Sequence, residues 1–209
     1  SEYLFLNDTA CNLASLNLVR FQKSDGSFDT ARFEAAARVF IVAQEILVDR
    51  ASYPTRVIAE NSHAFRTLGL GYANLGALIM SRGLGYDSDE GRAMCGALTA
   101  LMTGVTYATS AEMAGELGAF SGYQRNAQHM LRVIRNHRAA AYSRTEYEGL
   151  NVAPVPLDHA NCPDQTLVAL AKSAWDEAQT LGEAHGFRNA QTTVIAPTGT
   201  IGLVMDCDT

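Results

Sequence analysis

The sequence lacks long apolar runs, an excess of basic residues and any secretory pattern. No stretch approaches the roughly 20 consecutive apolar residues of a membrane-spanning helix, and the N-terminus has no basic region. We therefore expect a cytoplasmic protein with no membrane partner. The formal net charge of −6 argues against binding to bulk nucleic acid, which calls for a basic face. A nucleotide substrate is still compatible with this charge, because backbone N–H groups can hold phosphate.

Metal-ligand and redox spacings are also missing. The four cysteines, at positions 11, 95, 162 and 207, include no Cys-x-x-Cys pair. The five histidines form no His-x-x-x-His or His-Glu-x-x-His arrangement, so we expect no metal site. In a cytosolic protein, scattered thiols of this kind are mostly reduced and often buried.

What is present is the composition of a globular protein with a substantial core. Hydrophobic residues make up 47% of the 209 residues and charged residues 18%. Strand-like segments alternate with long helical patterns, which predicts an α/β architecture with largely parallel strands. Apolar spacing and capping residues predict helices at about 30–50, 55–65, 88–117, 124–141 and 165–185.

The first helix has the clearest start signal. Asp29 is a predicted N-cap, and Phe28 and Phe33 are spaced as a hydrophobic staple across it. Before this helix, an alternating apolar run from Leu13 predicts a strand that ends at the turn 24–27.

A glycine-rich run at positions 69–74, Gly-Leu-Gly-Tyr-Ala-Asn, looks at first like a dinucleotide-binding loop. The third glycine of that fingerprint would fall at position 74, which is asparagine. The run is therefore better explained by glycines that let a strand and a helix pack closely.

A turn at positions 197–202, Pro-Thr-Gly-Thr-Ile-Gly, follows a predicted strand at 191–196 and precedes a predicted helix. Successive backbone N–H groups in such a turn can converge on a phosphate, and threonine hydroxyls donate further hydrogen bonds. Many α/β loops carry glycine and threonine without binding anything. On the residues alone, a phosphate site and a plain structural turn therefore remain equally open.

The first eighteen residues place an acid, Glu2, and a thiol, Cys11, on either side of a short polar turn. The spacing of these two residues alone is a weak signal, but the sequence motif Ser-Glu-Tyr followed by Ala-Cys-Asn-Leu-Ala-Ser is specific. It resembles the active-site loop and following strand of adenosylcobalamin-dependent (class II) ribonucleoside-diphosphate reductases, whose signature reads Asn-Pro-Cys-Ser-Glu-Tyr. The turn at 197–202 is similar to the reductase loop that holds the diphosphate of the substrate.

The resemblance extends over the whole chain and implies a fold. These reductases have a ten-stranded α/β barrel built from two five-stranded parallel halves. The chain would be a single incomplete segment, 1–209, that is rich in helix and supplies mainly the second half. The radical cysteine of the signature would lie immediately before Ser1. A protein-splicing element must be followed by Ser, Thr or Cys, and this sequence begins with Ser1. A further hypothesis is therefore that the chain is the segment between two such insertions in a reductase gene.

The resemblance also implies a role for each residue that it covers. Glu2 would be the base that handles the proton of the 3′-hydroxyl. Cys11, with a partner thiol from the other half-barrel, would reduce the 2′-carbon and form a disulfide. The implied substrate contacts are Ser1, Glu2, Pro197, Thr198, Gly199, Thr200 and Ile201.

The implied cofactor is adenosylcobalamin, which generates a thiyl radical in the complete enzyme. The implied partners are a ribonucleoside diphosphate, a thioredoxin-like or other dithiol reductant, the rest of the reductase chain and a second copy in a homodimer. A segment without the radical cysteine is expected to be inactive in isolation. Two alternatives stay open: the large subunit of an iron-dependent (class I) reductase, which imports its radical, and a non-catalytic phosphate-binding module.

Overall fold

The computed structural model describes residues 6–207. Its centre is a parallel sheet of two strands, β1 (Leu13–Asn17) and β2 (Gly69–Ala73), with Leu13 opposite Gly69. All residues of β2 are buried, as is typical of a parallel strand covered on both faces. The predicted combination of parallel strands and long helices is therefore confirmed, although the described sheet is small.

The 191–196 segment lies along the other side of β2. A parallel bridge joins Leu70 to Thr193. The Leu70 N–H donates to the Thr192 carbonyl at 3.0 Å, and the Val194 N–H donates to the Leu70 carbonyl at 3.0 Å. The predicted strand is thus paired near its start only, and β2 is the central one of three parallel segments.

Two glycines of β2 bring the 191–196 segment close to the strand. A Cβ at Gly71 would lie 2.4 Å from the Val194 carbonyl oxygen, and a Cβ at Gly69 would lie 2.6 Å from Val194 Cγ1. Larger residues would therefore push the segment away from β2. The sequence-based interpretation is right that these glycines serve close packing and wrong about their partner, which is a neighbouring strand-like segment rather than a helix.

β1 ends earlier than the alternating pattern predicts. After β1 the chain forms a 3-10 turn, Leu18–Phe21, and an isolated antiparallel bridge between Gln22 and Phe28 closes the turn at 24–27. Leu18 and Phe21 are both buried. Residues three apart share a face in a 3-10 helix but not in a strand, so burial of these two side chains ends the strand.

In the described part of the chain, seven helices surround the sheet. They are α1 (Thr30–Arg50), α2 (Arg56–Phe65), α3 (Leu75–Ser81), α4 (Asp89–Leu117), α5 (Tyr123–Ala141), α6 (Gln165–His185) and α7 (Gly199–Met205). Ser88 caps α4 by accepting from the Gly91 N–H, and Asp164 caps α6 by accepting from the Thr166 and Leu167 N–H groups. The predicted starts of both helices are confirmed.

The start of α1 also follows the sequence signal. The Asp29 carboxylate accepts from the Arg32 N–H at 3.1 Å. The rings of Phe28 and Phe33 meet edge to face with centroids 5.3 Å apart, and both side chains are buried. The cap and the staple together fix the angle at which the chain enters α1.

We expect Asp29→Ala to lower the free energy of unfolding by about 1 kcal/mol, because an N–H group of the first turn loses its acceptor. Urea unfolding followed by circular dichroism measures this loss. Asp29→Ser is the matched control, since serine caps nearly as well. Equal stability of the alanine variant and the unchanged chain would show that the cap contributes nothing.

The core lies between the sheet and the long helices. A large apolar cluster joins both strands to α1, α4 and α6, and a smaller one surrounds Trp175 and Phe187. α4 approaches α6 closely at Gly104, where a Cβ would lie 2.9 Å from the Ala174 Cβ. Within residues 6–207, no helix is long and apolar enough to cross a membrane.

Candidate active site

Cys11 lies at the amino end of the sheet. It is exposed and stands two residues before β1, level with Thr67 in the register that pairs Leu13 with Gly69. Ser1 and Glu2, which the sequence places in the same part of the site, lie outside the described residues.

Side chains of α2 hold the loop that carries Cys11. The Asn61 side chain donates to the Asn7 carbonyl at 3.0 Å. The Ser62 hydroxyl accepts from the Ala10 N–H at 3.0 Å. The loop is thus attached to the helix at two points before the thiol.

A third attachment follows the thiol and comes from α1. Asn12 Nδ2 donates to the Gln44 carbonyl at 2.8 Å, and Gln44 Nε2 donates to the Asn12 carbonyl at 2.7 Å. The Asn12 carbonyl also accepts from the Gly69 N–H at 2.9 Å. Gln44 is 2% exposed, and its Oε1 has no hydrogen-bond partner among the described residues.

A cavity of about 270 Å³ opens beside Cys11, between its loop, the end of α1 and α2. Most of its lining is apolar, and Ser62 and Tyr53 contribute hydroxyl-bearing side chains. The Tyr53 hydroxyl donates to the Val48 carbonyl at 2.7 Å. Burial raises the pKa of Tyr53 above its ordinary value, so this side chain is a neutral hydroxyl at pH 7.

A buried charge network centres on Glu45 of α1. Its Oε1 accepts from Arg66 Nε at 2.6 Å and from Arg188 Nε at 2.7 Å. Its Oε2 accepts from Asn189 Nδ2 at 2.6 Å. Glu45 and Arg66 are both buried. The network joins α1 to the residues that lead into β2 and into the third parallel segment.

Arg66 follows the end of α2 in the left-handed conformation, with φ at 50°. Its Nη1 and Nη2 donate to the two carboxylate oxygens of Asp49 at 2.9 and 2.8 Å. Hydrogen bonding from Arg66 lowers the pKa of Asp49. A positive φ is strained in a residue other than glycine. The carboxylates of Glu45 and Asp49 hold Arg66 in this conformation.

The turn at 197–201 lies at the opposite, carboxyl end of the sheet. Gly199 begins α7, and a Cβ on it would meet nothing within 4 Å. Thr198 is buried with φ at 55°, and its hydroxyl donates to the Pro197 carbonyl at 2.8 Å. A ligand can thus approach the backbone after Thr198 but not the engaged hydroxyl. The exposed residues of the turn are Pro197, Gly199, Thr200 and Ile201.

The structure does not bring Cys11 and the 197–201 turn together. Cys11 is level with Thr67, before the start of β2, whereas the turn follows the segment whose Thr193 pairs with Leu70 and so begins beyond the carboxyl end of the sheet. A single substrate that contacts both predicted parts of the site must therefore extend along the sheet.

The other cysteines lie elsewhere. Cys95 Sγ is 3.5 Å from the Tyr72 hydroxyl, whose pKa is raised by burial, and Cys162 is part of the large apolar cluster. Cys207 shares a cavity beside α7 with Asn74. Among residues 6–207, no three His, Cys, Asp or Glu side chains are grouped to hold a metal ion.

Sequence reasoning missed the residues that surround Cys11. Gln44 carried a signal, because it interrupts the apolar spacing of Ile41 and Val48 on the buried face of α1. A polar residue at such a position needs a partner in the fold. Ser62 and Asn61 carried no comparable signal.

Comparisons with known proteins agree with this fold. The chain matches the family described as "Ribonucleotide reductase, barrel domain" over residues 1–209. It is 65% identical to the vitamin B12-dependent ribonucleotide reductase of Agrobacterium fabrum over 211 aligned residues, which cover 100% of the chain and 17% of that protein. The corresponding protein of Bradyrhizobium diazoefficiens is 63% identical, again over 100% of the chain and 17% of its length.

A more distant relative shows the same pattern. The vitamin B12-dependent ribonucleotide reductase of Rhodopirellula baltica is 56% identical over 100% of the chain and 19% of its own length. The chain thus spans less than a fifth of each of these relatives. The parallel strands, the covering helices and the match along the whole sequence lead to one conclusion: the chain belongs to the ribonucleotide reductase barrel-domain family.

Proposed function

We propose that the chain contributes to the reduction of ribonucleotides to 2′-deoxyribonucleotides, as one segment of the barrel of a longer vitamin B12-dependent reductase. The observation that carries this proposal is the 65% identity along the whole chain to a protein of that name. The exposed thiol at the head of β1 supports it. We assign residues 1–209 to a single segment of the catalytic barrel.

Cys11 is proposed as one of two thiols that reduce the 2′-carbon. The balanced reaction converts a ribonucleotide and two thiols into a 2′-deoxyribonucleotide, a disulfide and water. The two thiols supply two electrons and two protons, and the 2′-oxygen leaves in the water molecule. The second thiol is assigned to another part of the reductase, and a dithiol reductant restores the pair after each turnover.

Glu2 is proposed as the base that takes and returns the proton of the 3′-hydroxyl, with Ser1 beside it as a substrate contact. A carboxylate within hydrogen-bond reach of that hydroxyl suits this task. Both residues precede the described part of the chain, so their assignment rests on the sequence resemblance.

The 197–201 turn is proposed as the place where the diphosphate binds. The backbone at Gly199 opens onto free space, and Thr200 and Ile201 are exposed beside it. Backbone N–H groups in such a turn hold phosphate without a positive side chain. Pro197 and Thr198 shape the turn, and the Thr198 hydroxyl would have to leave the Pro197 carbonyl to bind the ligand itself.

The described residues do not by themselves fit the corrin ring of adenosylcobalamin. The cavity beside Cys11, about 270 Å³, is below the roughly 300–1,000 Å³ that is usual for pockets of drug-sized ligands and cofactors. A larger cavity of about 590 Å³ lies between α4, α5 and α6, against His137 and Trp175, and does not include Cys11.

The test is an assay of the complete reductase that carries these 209 residues. We expect conversion of a ribonucleoside diphosphate to its 2′-deoxy form that requires adenosylcobalamin and a dithiol, and no second radical-generating subunit. Activity that needs an iron-containing subunit instead would contradict the cobalamin assignment. A ribonucleoside triphosphate in a parallel assay tests the proposed preference for diphosphates. Gel filtration of the same protein tests the proposed homodimer.

A substitution at Gly199 tests the phosphate assignment. We expect Gly199→Ala to raise the KM for substrate by about tenfold, because the new methyl group occupies the space that the phosphate would enter. The thermal midpoint should stay equal or rise slightly, since alanine favours helix and meets no neighbour.

Gly76→Ala is the matched control for this substitution. Gly76 lies in the first turn of α3, and a Cβ there makes only an ordinary contact, 3.7 Å from the Tyr86 ring. An unchanged KM for Gly199→Ala would show that the turn is not part of the substrate site.

A further inference from the structure

We propose that Gln44 is a positioning residue for Cys11 and acts through Asn12. This inference rests on the proposed function, because it concerns a thiol to which that function gives a redox role. Gln44 is 2% exposed, yet its Oε1 has no hydrogen-bond partner among the described residues.

Stability does not account for glutamine at this position. A buried amide oxygen without a partner costs free energy, whereas an apolar side chain of the same length fills the site without that cost. The Nε2 group does not satisfy an otherwise empty acceptor either. The Asn12 carbonyl already accepts from the Gly69 N–H at 2.9 Å in the strand pairing. The bond from Gln44 is therefore an addition to a satisfied group.

The bond from Gln44 Nε2 to the Asn12 carbonyl helps to fix the loop that carries Cys11. The Asn12 carbonyl lies between a donor of β2 and Gln44 Nε2, at 2.9 and 2.7 Å. The Asn12 side chain returns a hydrogen bond to the Gln44 carbonyl at 2.8 Å. Backbone and side chain of Asn12 are thus both held, directly after Cys11 in the sequence.

The other flank of the thiol is held as well. The Ala10 N–H donates to Ser62 Oγ at 3.0 Å, and Ser62 is 5% exposed. Cys11 itself remains exposed between its two fixed neighbours. This arrangement fixes the backbone on both sides of the exposed residue, and a fixed backbone is what a redox step with a defined geometry requires.

If Gln44 positions Cys11, its loss should change the rate of the redox step but not the KM for substrate. Gln44 bonds Asn12 at the amino end of the sheet, whereas the proposed phosphate turn follows the opposite, carboxyl end. Loss of its side-chain bond should therefore slow the step in which Cys11 reacts and leave the KM for substrate unchanged. A residue with a purely structural role would instead lower stability and all activity together.

The test uses Gln44→Met in the complete reductase, reduced beforehand and assayed in a single turnover without external reductant. We expect the rate of 2′-deoxynucleotide formation to fall by about tenfold, since small misplacements of a reacting group have effects of this size or larger. The thermal midpoint and the KM should be unchanged, and the final amount of product should equal that of the unsubstituted enzyme.

Ser62→Ala provides a second variant that should also slow the rate without changing the KM. Gln179→Met is the matched control, because Gln179 is a half-exposed helical glutamine, remote in the fold from Cys11, whose side chain donates to Glu183; its rate should be unchanged. An unchanged rate for Gln44→Met would overturn the proposal, whatever the rate of Ser62→Ala. A fall in rate that only follows a fall in thermal midpoint would overturn it too.

Cys11→Ser in the same assay separates this inference from the proposed function. If Cys11→Ser still forms product, the redox role of Cys11 is wrong and the inference fails with it. If Cys11→Ser forms none while Gln44→Met reacts at the normal rate, the proposed function stands and only the positioning role is refuted.

Discussion

In the complete reductase, Cys11→Ser is expected to reduce the formation of 2′-deoxynucleotides by about a thousandfold or more, the scale of loss when a reacting group is removed. A serine hydroxyl cannot be oxidised to a disulfide, so the two electrons for removal of the 2′-oxygen are no longer available. Chromatographic measurement of the deoxynucleotide after many turnovers with excess dithiol gives the result directly.

Substrate binding should survive this change, because the proposed phosphate turn lies at the other end of the sheet. Equilibrium dialysis with labelled nucleotide measures it. Cys95→Ser is the matched thiol control and should keep its activity, since Cys95 lies on α4 beside Tyr72. Normal turnover by the Cys11 variant would show that another group of the enzyme donates the electrons.

Glu45→Ala should have the largest effect on stability, a loss of about 3–5 kcal/mol in the free energy of unfolding. The change removes a carboxylate that is 4% exposed and accepts from Arg66, Arg188 and Asn189. Arg66 would keep only its bonds to Asp49 and to the Glu45 backbone carbonyl. Among the described residues, the Arg188 guanidinium would keep only exposed bonds to the carbonyls of Leu117 and Gly118. Urea unfolding measures the loss.

Two further variants define what the Glu45 measurement means. Glu45→Gln keeps the shape but replaces one acceptor oxygen with a donor, so most of the loss should remain. Glu112→Ala breaks the half-exposed ion pair with Arg38 and should cost about 1 kcal/mol or less, as exposed pairs do. Similar losses for Glu45→Ala and Glu112→Ala would show that burial adds nothing to the network.

The long helices could be predicted from the sequence because their signals are local, whereas the short α3 was not predicted. Asp29, Ser88 and Asp164 cap the first turn of their own helices, and each bond spans only a few residues. The α/β class followed from the alternation of elements. The premature end of β1 could not be predicted in this way, because it depends on where Leu18 and Phe21 are buried in the assembled core.

The candidate site could be predicted only in part, because its contacts are long-range. Cys11 and the turn at 197–201 were recognisable from their sequence motifs. The structure places Cys11 at the amino end of the sheet and the turn at the carboxyl end. Their separation depends on the pairing of Leu13 with Gly69 and of Leu70 with Thr193. Likewise, the bond between Asn12 and Gln44 spans 32 residues. No periodicity in the sequence encodes such a pair.

The Glu45 network also has a consequence for the order of folding. Its bond to Asn189 closes a stretch of 144 residues, whereas the caps of α1, α4 and α6 close within a few residues. Loop-closure entropy delays contacts between distant positions. The helices can therefore form before the third parallel segment is attached, and the strained Arg66 gains its full set of carboxylate bonds only when α1 and α2 meet. The bond from Asn189 to Glu45 is thus expected to be among the last of this network to form.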